Sequence, residues 1–138
     1  MSDWKHASAL DVYGKESRLA CLESPELCIR ELPPGGKLLI QARGDPEAIG
    51  QAVYPLLGLD LPHEPNTSVA GDFALLWMGP RKWLIILDAA QRRELQLQLE
   101  MALSGIPSLI SDLSDARVGI EVCGKHARTV LARVCAGV

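Results

Sequence analysis

Hydrophobic residues recur along this chain with two periodicities, one typical of strands and one typical of helices. Short, nearly unbroken apolar stretches favour strands in six places, at 26–31, 37–42, 73–78, 82–87, 108–113 and 117–123. Between them, apolar residues spaced three or four positions apart predict helices that begin near Asp45, Asp88 and Gly124. The predicted element order is therefore β-β-α-β-β-α-β-β-α.

Residues that start and stop helices support this order. Asp45 is a predicted N-cap and Pro46 the first helical residue, where a missing amide hydrogen costs nothing. Pro55 is expected to end or bend that helix. Asp88 and Gln91 have the spacing of a capping box for the second helix.

The element order predicts the fold class. Counted from Lys37, the elements form β-α-β-β-α-β, the split arrangement in which two helices cover one face of a four-stranded antiparallel sheet. We therefore predict an α+β fold with a ferredoxin-like split β-α-β core, an extra hairpin strand at 26–31 and a C-terminal helix. The Pro-Pro-Gly-Gly sequence at 33–36 is the predicted hairpin turn.

Domain organisation follows from where the periodicity is lost. Residues 1–24 have no sustained pattern and are predicted to form an arm that orders only against a partner, with Trp4 as its anchor. Residues 25–138 are predicted to form a single α+β domain, in keeping with the length of 138 residues. Within that domain, the polar, proline-containing stretch at 58–71 is predicted to be an exposed connection.

Composition and charge narrow the class of partner. The chain has 14 Lys and Arg against 17 Asp and Glu, a net charge of -3 that is spread along the sequence. It lacks the concentrated basic patch that binds phosphates, so nucleic acid is not expected as a partner. Its apolar runs are far shorter than the roughly 20 residues that span a bilayer, and the first twenty residues do not form a secretory signal. We therefore expect a cytoplasmic protein with no membrane partner.

No catalytic or metal-binding spacing is recognisable in the sequence. Nucleophile elbows, H-E-x-x-H pairs and phosphate-binding glycine loops do not occur, so we predict no catalytic, cofactor-binding or metal-ligating residues. The three histidines, at 6, 63 and 126, are predicted to be solvated surface residues. The four cysteines, at 21, 28, 123 and 135, are predicted to be reduced thiols, with those at 123 and 135 as small core residues.

Two polar segments are candidates for turns or binding sites. Asp112, Ser114 and Asp115 lie between two predicted strands and are followed by Arg117. Turn chemistry is the favoured interpretation, with an ion pair to Arg117 or hydrogen bonding to a small ligand as alternatives. Residues 124–126 open the last helix, where free amides favour an anion, although an ordinary strand-to-helix turn presents the same groups.

A third candidate is the tight turn between two predicted central strands. Trp77 and Trp83 bracket Gly79 and Pro80 in this turn. Because side chains alternate between the two faces of a strand, at least one indole is expected to point away from the helices. A contact surface and the core are equally open alternatives, since indoles suit both.

Two segments together resemble the gamma subunit of heterotetrameric sarcosine oxidase. The first is L-W-M-G-P-R-K-W-L-I-I at 76–86, and the second is D-L-S-D-A-R-V at 112–118 followed by G-K-H-A-R-T-V-L-A at 124–132. That family has an L-W-x-G-P-x-x-W-L strand pair, then D-x-S-D-A-R and G-x-x-A-R-x-V-L-A, in this order and at comparable separation. The resemblance implies the fold of the folate-binding aminomethyltransferases, which agrees with the split β-α-β arrangement.

The resemblance also implies a function. It points to a non-catalytic small subunit of a complex that oxidatively demethylates sarcosine to glycine, forms hydrogen peroxide and passes the one-carbon unit to tetrahydrofolate. The implied partners are larger alpha and beta subunits and a small delta subunit, and FAD, FMN, NAD and tetrahydrofolate are implied for those partners only. The motif residues are then candidates for family structure or for the subunit interface: Trp77, Gly79, Pro80, Trp83, Asp112, Ser114, Asp115 and Arg117.

Two other functions stay open. One is a standalone folate-binding, aminomethyltransferase-like module, in which Asp112 or Asp115 would face a pteridine ring. The other is a homo-oligomeric scaffold. Chains of the resembled family continue well beyond the V-L-A helix, whereas this sequence stops at Val138. If the missing part normally completes the sheet or its interface, an open sheet edge and a homodimer of the isolated chain are expected.

Overall fold

The computed structural model describes residues 25–135, which divide into two compact units. The larger, here called the sheet unit, is Gly35–Arg117. The smaller, here called the ribbon unit, consists of the described residues at 25–34 and 118–135. The predicted arm at 1–24 lies outside the described residues, and the single domain predicted over 25–138 stays a prediction.

Both units contain strands and helices. In chain order they are β1 (Cys28–Glu31), β2 (Gly36–Ala42), α1 (Pro46–Leu57), β3 (Ser68–Ala70), β4 (Ala74–Gly79), β5 (Lys82–Leu87), α2 (Arg92–Ala102), β6 (Ser108–Asp112), β7 (Ile120–Cys123) and α3 (Ala127–Val134). The predicted α+β class is confirmed. Across residues 25–135, no helix has the length and apolar character needed to cross a membrane.

The sheet unit is built on a five-stranded antiparallel sheet with the strand order β3-β4-β5-β2-β6. Leu38 on β2 lies opposite Ile85 on β5 and opposite Asp112 on β6, which sets the register of the three strands. Both β4 and β5 lie inside the sheet, as their unbroken apolar runs predict. The edge strand β3 was not predicted and falls within the stretch expected to be an exposed connection. Its three residues are too few to show a periodic pattern.

One face of this sheet packs against both α1 and α2. Leu38 and Ile40 lie opposite Ile85 and Trp83, so these four side chains share a face. Each helix packs against this face with buried apolar side chains that are spaced four positions apart in the sequence. The buried core of the unit is Leu38, Ile40, Ala42, Ile49, Val53, Leu57, Leu61, Leu75, Trp83, Ile85, Leu87, Leu95, Leu99 and Leu103. Burying each large apolar side chain contributes about 1.5–3 kcal/mol to folding.

Helix α1 begins as predicted and ends later than predicted. The Asp45 carboxylate accepts a hydrogen bond from the Glu47 amide at 3.1 Å and caps the helix. Pro55 lies in the last turn and does not end the helix, because buried Leu57 still packs in the core. Gly58 ends it in a left-handed conformation with φ of 63°, donating its amide to the Tyr54 carbonyl at 2.8 Å.

Helix α2 begins one short turn later than the sequence predicts. The Asp88 carboxylate accepts from the Ala90 amide at 2.8 Å and caps a 3-10 turn, Ala89–Gln91, that leads into α2. The apolar face is also narrower than predicted. Leu95 and Leu99 are buried, whereas Leu97 and Met101 are 53% and 76% exposed.

The ribbon unit contains a two-stranded antiparallel sheet and helix α3. Ile29 on β1 lies opposite Val122 on β7. The predicted hairpin between 26–31 and 37–42 is therefore wrong, and the extra strand pairs with β7. The hairpin does not form because the segment between the two strands does not reverse the chain. Residues 32–35 contain no turn, since consecutive prolines favour extended backbone.

Candidate functional site

The D-x-S-D-A-R segment ends strand β6 with an aspartate-centred turn. The Asp112 carboxylate accepts hydrogen bonds from the Ser114 amide at 2.9 Å and from the Ser114 hydroxyl at 2.6 Å. An Asp that bonds the backbone two residues ahead reverses the chain locally. Turn chemistry, the favoured interpretation of these residues, is what the structure contains.

The same turn is tied to the central strand β2. The Ser114 hydroxyl oxygen accepts a hydrogen bond from the Lys37 amide at 2.9 Å, and the Leu113 amide donates to the Lys37 carbonyl at 2.8 Å. Ser114 thus bridges the Asp112 carboxylate and the backbone of β2. These bonds extend the pairing of β6 with β2 past the end of the ladder.

A cation from helix α2 completes this arrangement. Arg92 Nε lies 3.4 Å from Asp112 Oδ2, and Arg92 Nη1 lies 3.9 Å from Asp115 Oδ2. The ion pair considered as an alternative for Arg117 is made by Arg92 instead, and Arg117 is exposed. We call Lys37, Arg92, Asp112, Ser114 and Asp115 the turn cluster.

The electrostatics of the turn cluster stabilise the ionised form of Asp112. Partial burial alone would raise the pKa of this carboxyl. The hydrogen bonds from Ser114 and the charge of Arg92 outweigh that effect and hold the pKa below its ordinary value of 3.8. The carboxylate is thus a charged, hydrogen-bonded structural group at neutral pH.

Close packing beside the turn cluster requires a glycine on β2. A Cβ atom on Gly36 would lie 2.8 Å from two side-chain atoms of Leu87 and 3.2 Å from Arg92 Cβ. The missing side chain lets α2 approach the sheet closely enough for Arg92 to reach Asp112. Gly36 therefore belongs to the structural support of the cluster.

The two tryptophans of the other motif differ in burial. Trp83 is 2% exposed, and its indole Nε1–H donates to the Pro62 carbonyl at 2.7 Å. His63 meets its ring edge-on, with 6.3 Å between ring centroids. Trp83 is thus a core residue whose polar atom is satisfied.

Trp77 lies directly opposite Trp83 in the sheet and is half-buried. Directly paired residues share a face, so the expectation that one indole points away from the helices is wrong. The register between β4 and β5 shifts after Trp77, and Arg81 in the turn has a positive φ of 64°. Of the turn residues, Pro80 is exposed and Gly79 is half-buried, with φ of 146°.

The two motifs do not converge on one site in the sheet unit. We call residues 77–83, which join β4 to β5, the tryptophan turn. The Ala42 amide donates to the Arg81 carbonyl in this turn, whereas the Lys37 amide contacts Ser114 at the other end of β2. Five residues of extended strand separate these points by about 17 Å. Each motif therefore supports its own end of the sheet.

The glycine before α3 is explained by packing within the ribbon unit. Gly124 has φ of 99°, and a Cβ atom there would lie 2.7 Å from the Glu26 carbonyl oxygen. The Glu26 carboxylate pairs with Lys125 Nζ and lies 3.0 Å from His126 Nε2. The Glu26 carboxylate thus contacts Lys125 and His126, two of the residues that the sequence analysis considered for binding an external anion.

The remaining candidate side chains are near the surface. His63 and His126 are exposed, as predicted, and His6 lies outside the described residues. Cys28, Cys123 and Cys135 are free thiols, as predicted. The prediction that Cys123 and Cys135 are core residues is wrong, because both are exposed. Among the described residues, no group of three or more His, Cys, Asp or Glu is placed to hold a metal ion.

Sequence reasoning missed the partners that complete each motif. Lys37 meets Ser114 from 77 positions away in the sequence, Arg92 meets Asp112 from 20 positions away, and the Pro62 carbonyl reaches Trp83 from a loop. The contact between Arg92 and Asp112 has no local signature, since it depends on where α2 crosses the sheet. For Trp83, the indole Nε1–H was an available signal, because a buried indole needs a hydrogen-bond acceptor such as the Pro62 carbonyl.

Comparison with known sequences gives three findings. Residues 22–136 match the family described as "Sarcosine oxidase, gamma subunit family". Sarcosine oxidase subunit gamma of Corynebacterium sp. (strain P-1) is 36% identical over 87 residues, which are 61% of this chain and 41% of the relative. Sarcosine oxidase subunit gamma of Arthrobacter sp is 33% identical over 99 residues, which are 70% of this chain and 48% of the relative. The match thus spans less than half the length of these relatives.

The fold has a solved counterpart. A chain of the heterotetrameric sarcosine oxidase from Corynebacterium sp. U-96, in complex with pyrrole 2-carboxylate, superposes with a TM-score of 0.75 and 24% sequence identity. The superposition covers 96% of this chain and 68% of that chain, and it bears on the fold. Because the family match extends over most of the chain and includes both motif segments, this chain belongs to the sarcosine oxidase gamma subunit family.

Proposed function

We propose that this chain is the non-catalytic gamma subunit of a heterotetrameric complex that oxidatively demethylates sarcosine to glycine. The observation that carries the proposal is the family match over residues 22–136, which contains both the tryptophan turn and the turn cluster. In the proposed complex, hydrogen peroxide is formed and the one-carbon unit passes to tetrahydrofolate. The partners are larger alpha and beta subunits and a small delta subunit in the cytoplasm.

The contacts of the motif residues support a structural role for this chain. Asp112 and Ser114 bond each other, β2 and Arg92, and Trp83 fills the core. These side chains hold the sheet unit together at its two ends. A general acid or base would instead need a carboxyl or imidazole aimed at a substrate.

We assign FAD, FMN, NAD and tetrahydrofolate to the partner subunits. The strand-to-helix turn before α3 is where this chain would hold an anionic group of a cofactor. Glu26 contacts both Lys125 and His126 there, so these residues do not fit a bound phosphate. No step of the proposed reaction is placed on this chain.

The finer description of the fold is also a proposal. Within the sheet unit, β2-α1-β4-β5-α2-β6 has the connectivity of a ferredoxin-like split β-α-β core, with β3 added at the edge beside β4. The antiparallel order β4-β5-β2-β6 supports this description. The same arrangement suits the aminomethyltransferase-like fold that the motif resemblance implies.

We assign Trp77, Pro80 and Arg117 as the interface candidates among the motif residues. Pro80 and Arg117 are exposed and Trp77 is half-buried, whereas Trp83, Asp112 and Ser114 are committed to internal contacts. Indole side chains are enriched at protein interfaces because one ring provides a large apolar area and a hydrogen-bond donor. Trp77 is therefore the side chain expected to contribute most to partner binding.

The first experiment is purification of the tagged chain from its native cells. Eluted chains are separated by size exclusion, scanned for flavin absorbance and assayed for sarcosine-dependent peroxide. Co-elution with larger, flavin-containing chains and peroxide formation are expected. A colourless monomer or homodimer would refute the proposal, and folate titration would then distinguish the standalone folate-binding module from a homo-oligomeric scaffold.

Matched tryptophan variants test the interface assignment separately from the function. Trp83→Ala removes a core residue and is expected to lower the free energy of unfolding by about 3–5 kcal/mol. Trp77→Ala is expected to cost less stability and to reduce the amount of larger subunits recovered. If Trp77→Ala is folded and recovers as much partner as the wild type, the interface assignment is wrong while the subunit function stands.

A further inference from the structure

Two cysteines distant in sequence lie directly opposite each other in the ribbon unit. Cys28 on β1 pairs with Cys123 on β7, and both are free thiols. The Leu32 amide donates to the Gly119 carbonyl at 2.8 Å, which makes that pair a hydrogen-bonded one. Such pairs recur every second residue, so Cys28 and Cys123 belong to the same class, whose Cα atoms are about 5.5 Å apart. That separation is close to the commonest one in disulfides, roughly 5.5–6 Å.

The two thiols also share one face of the ribbon and are accessible. Cys123 is exposed and Cys28 is half-buried. Their neighbours on this face are Arg30 and Glu121, which form an ion pair across the strands. A small oxidant in solvent therefore reaches this face of the ribbon without unfolding it.

The thiols differ in a way that suggests separate roles. A hydrogen bond with Cys123 raises the pKa of the Cys28 thiol, and desolvation raises it further. Cys28 thus stays protonated as the thiol that condenses second. Cys123, the more exposed of the two residues, is the thiol that meets an oxidant first.

We propose that Cys28 and Cys123 form a reversible disulfide when the chain meets a hydroperoxide. The Cys123 thiolate sulfur attacks one peroxide oxygen, the O–O bond breaks, and a sulfenic acid and hydroxide result. The Cys28 sulfur then attacks the sulfenic sulfur, the S–O bond breaks and the hydroxyl group leaves as water with the Cys28 proton, while the proton released when Cys123 ionised neutralises the hydroxide. Overall, two thiols and one peroxide give one disulfide and two waters, and a dithiol reductant reverses the change.

The disulfide would lock β1 to β7. A two-stranded sheet is marginally stable by itself, so a covalent link between its strands reduces local opening. The expected consequence is slower proteolysis within residues 25–34 of the oxidised chain. The proposal is independent of the proposed subunit function, since it needs only this chain and a hydroperoxide.

The test uses the full-length chain, reduced and then treated with increasing hydrogen peroxide. Free thiols are blocked, the protein is digested and linked peptides are identified by mass spectrometry. A peptide pair joining Cys28 to Cys123, with a loss of two hydrogens and two free thiols, is expected before Cys135 is oxidised. Dithiothreitol should restore both thiols and the original proteolysis rate.

Cysteine variants complete the test. Cys135→Ser is the matched control and should leave the Cys28–Cys123 link unchanged. Cys28→Ser should leave Cys123 as a sulfenic acid that dimedone captures. Peroxide that oxidises Cys135 or Cys21 while Cys28 and Cys123 stay unlinked in the wild-type chain would overturn the proposal, and this outcome needs no variant to fold.

Discussion

At the scale of single residues, the Asp112 side chain links two elements of the sheet unit. Its carboxylate accepts two hydrogen bonds from Ser114 and faces Arg92, so it joins the end of β6 to α2, and Ser114 adds the bond to β2. These contacts favour the charged form of Asp112 and therefore lower its pKa. Because the unfolded chain lacks these contacts, the preference links stability to pH.

Asp112→Asn is expected to lower the free energy of unfolding by about 1–2 kcal/mol at neutral pH, since the charge and one acceptor are lost. The folded-state pKa lies below the unfolded value of 3.8, so the stabilisation is complete above that value. It disappears as the pH falls through the lowered pKa. Urea unfolding at about pH 7 and about pH 3 should therefore show the difference between wild type and variant shrinking in acid.

The control for this prediction is Asp60→Asn, which changes an exposed carboxylate outside the cluster. It is expected to leave unfolding unchanged at both pH values. A loss in Asp112→Asn that is equally large in acid would show that the charge of Asp112 does not stabilise the turn.

At the scale of elements, glycines mark the places where backbone segments approach closely. Gly124 has a left-handed φ and no room for a Cβ atom beside Glu26 and Leu27. The His126 amide donates to the Glu26 carbonyl at 2.9 Å, so the start of α3 is fastened to the segment before β1. Gly50 is the opposite case, a residue inside α1 where an added Cβ atom would meet no atom of another element within 4 Å.

Gly124→Ala is expected to destabilise the protein by more than about 1 kcal/mol, because it adds a strained φ and a backbone clash. Gly50→Ala should instead stabilise it by about 0.5–1 kcal/mol, since alanine restricts the unfolded chain and favours helix. Thermal unfolding followed by circular dichroism compares the two variants. Equal effects of the two substitutions would contradict the close approach at Gly124.

At the scale of the whole molecule, the two units have different kinds of stability. The sheet unit buries a continuous core under two helices. The ribbon unit pairs only two strands, and Ile120 and Val134 in it are 52% and 73% exposed. Few buried contacts and short strands permit local opening without global unfolding.

Amide hydrogen exchange should resolve the two units. Amides of β2 and β5 are expected to exchange slowest, at rates set by global unfolding, and those of β1 and β7 to exchange much earlier. Mass spectrometry of peptic fragments from the reduced chain measures both sets in one experiment. Ribbon amides protected as strongly as those of β2 would show that the two units open together.

Local patterns along the chain were sufficient for most elements. The strands β2, β4, β5 and β6 and all three described helices fall where periodicity and caps such as Asp45 predict them. Strand β3 was not predicted because three residues show no periodic pattern. The predicted effect of Pro55 on α1 was wrong because burial of Leu57 outweighs one lost helical hydrogen bond. These failures are cases where packing overrides a local preference.

By itself, the sequence determined the α+β class, the apolar faces of strands and helices, the aspartate turn at Asp112 and the family motifs, because each depends on residues close in the chain. Tertiary structure decided that β1 pairs with β7, that Arg92 rather than Arg117 meets Asp112, and that Cys28 lies opposite Cys123. Those contacts join residues far apart in sequence. Their formation depends on how whole elements pack, which no local spacing records.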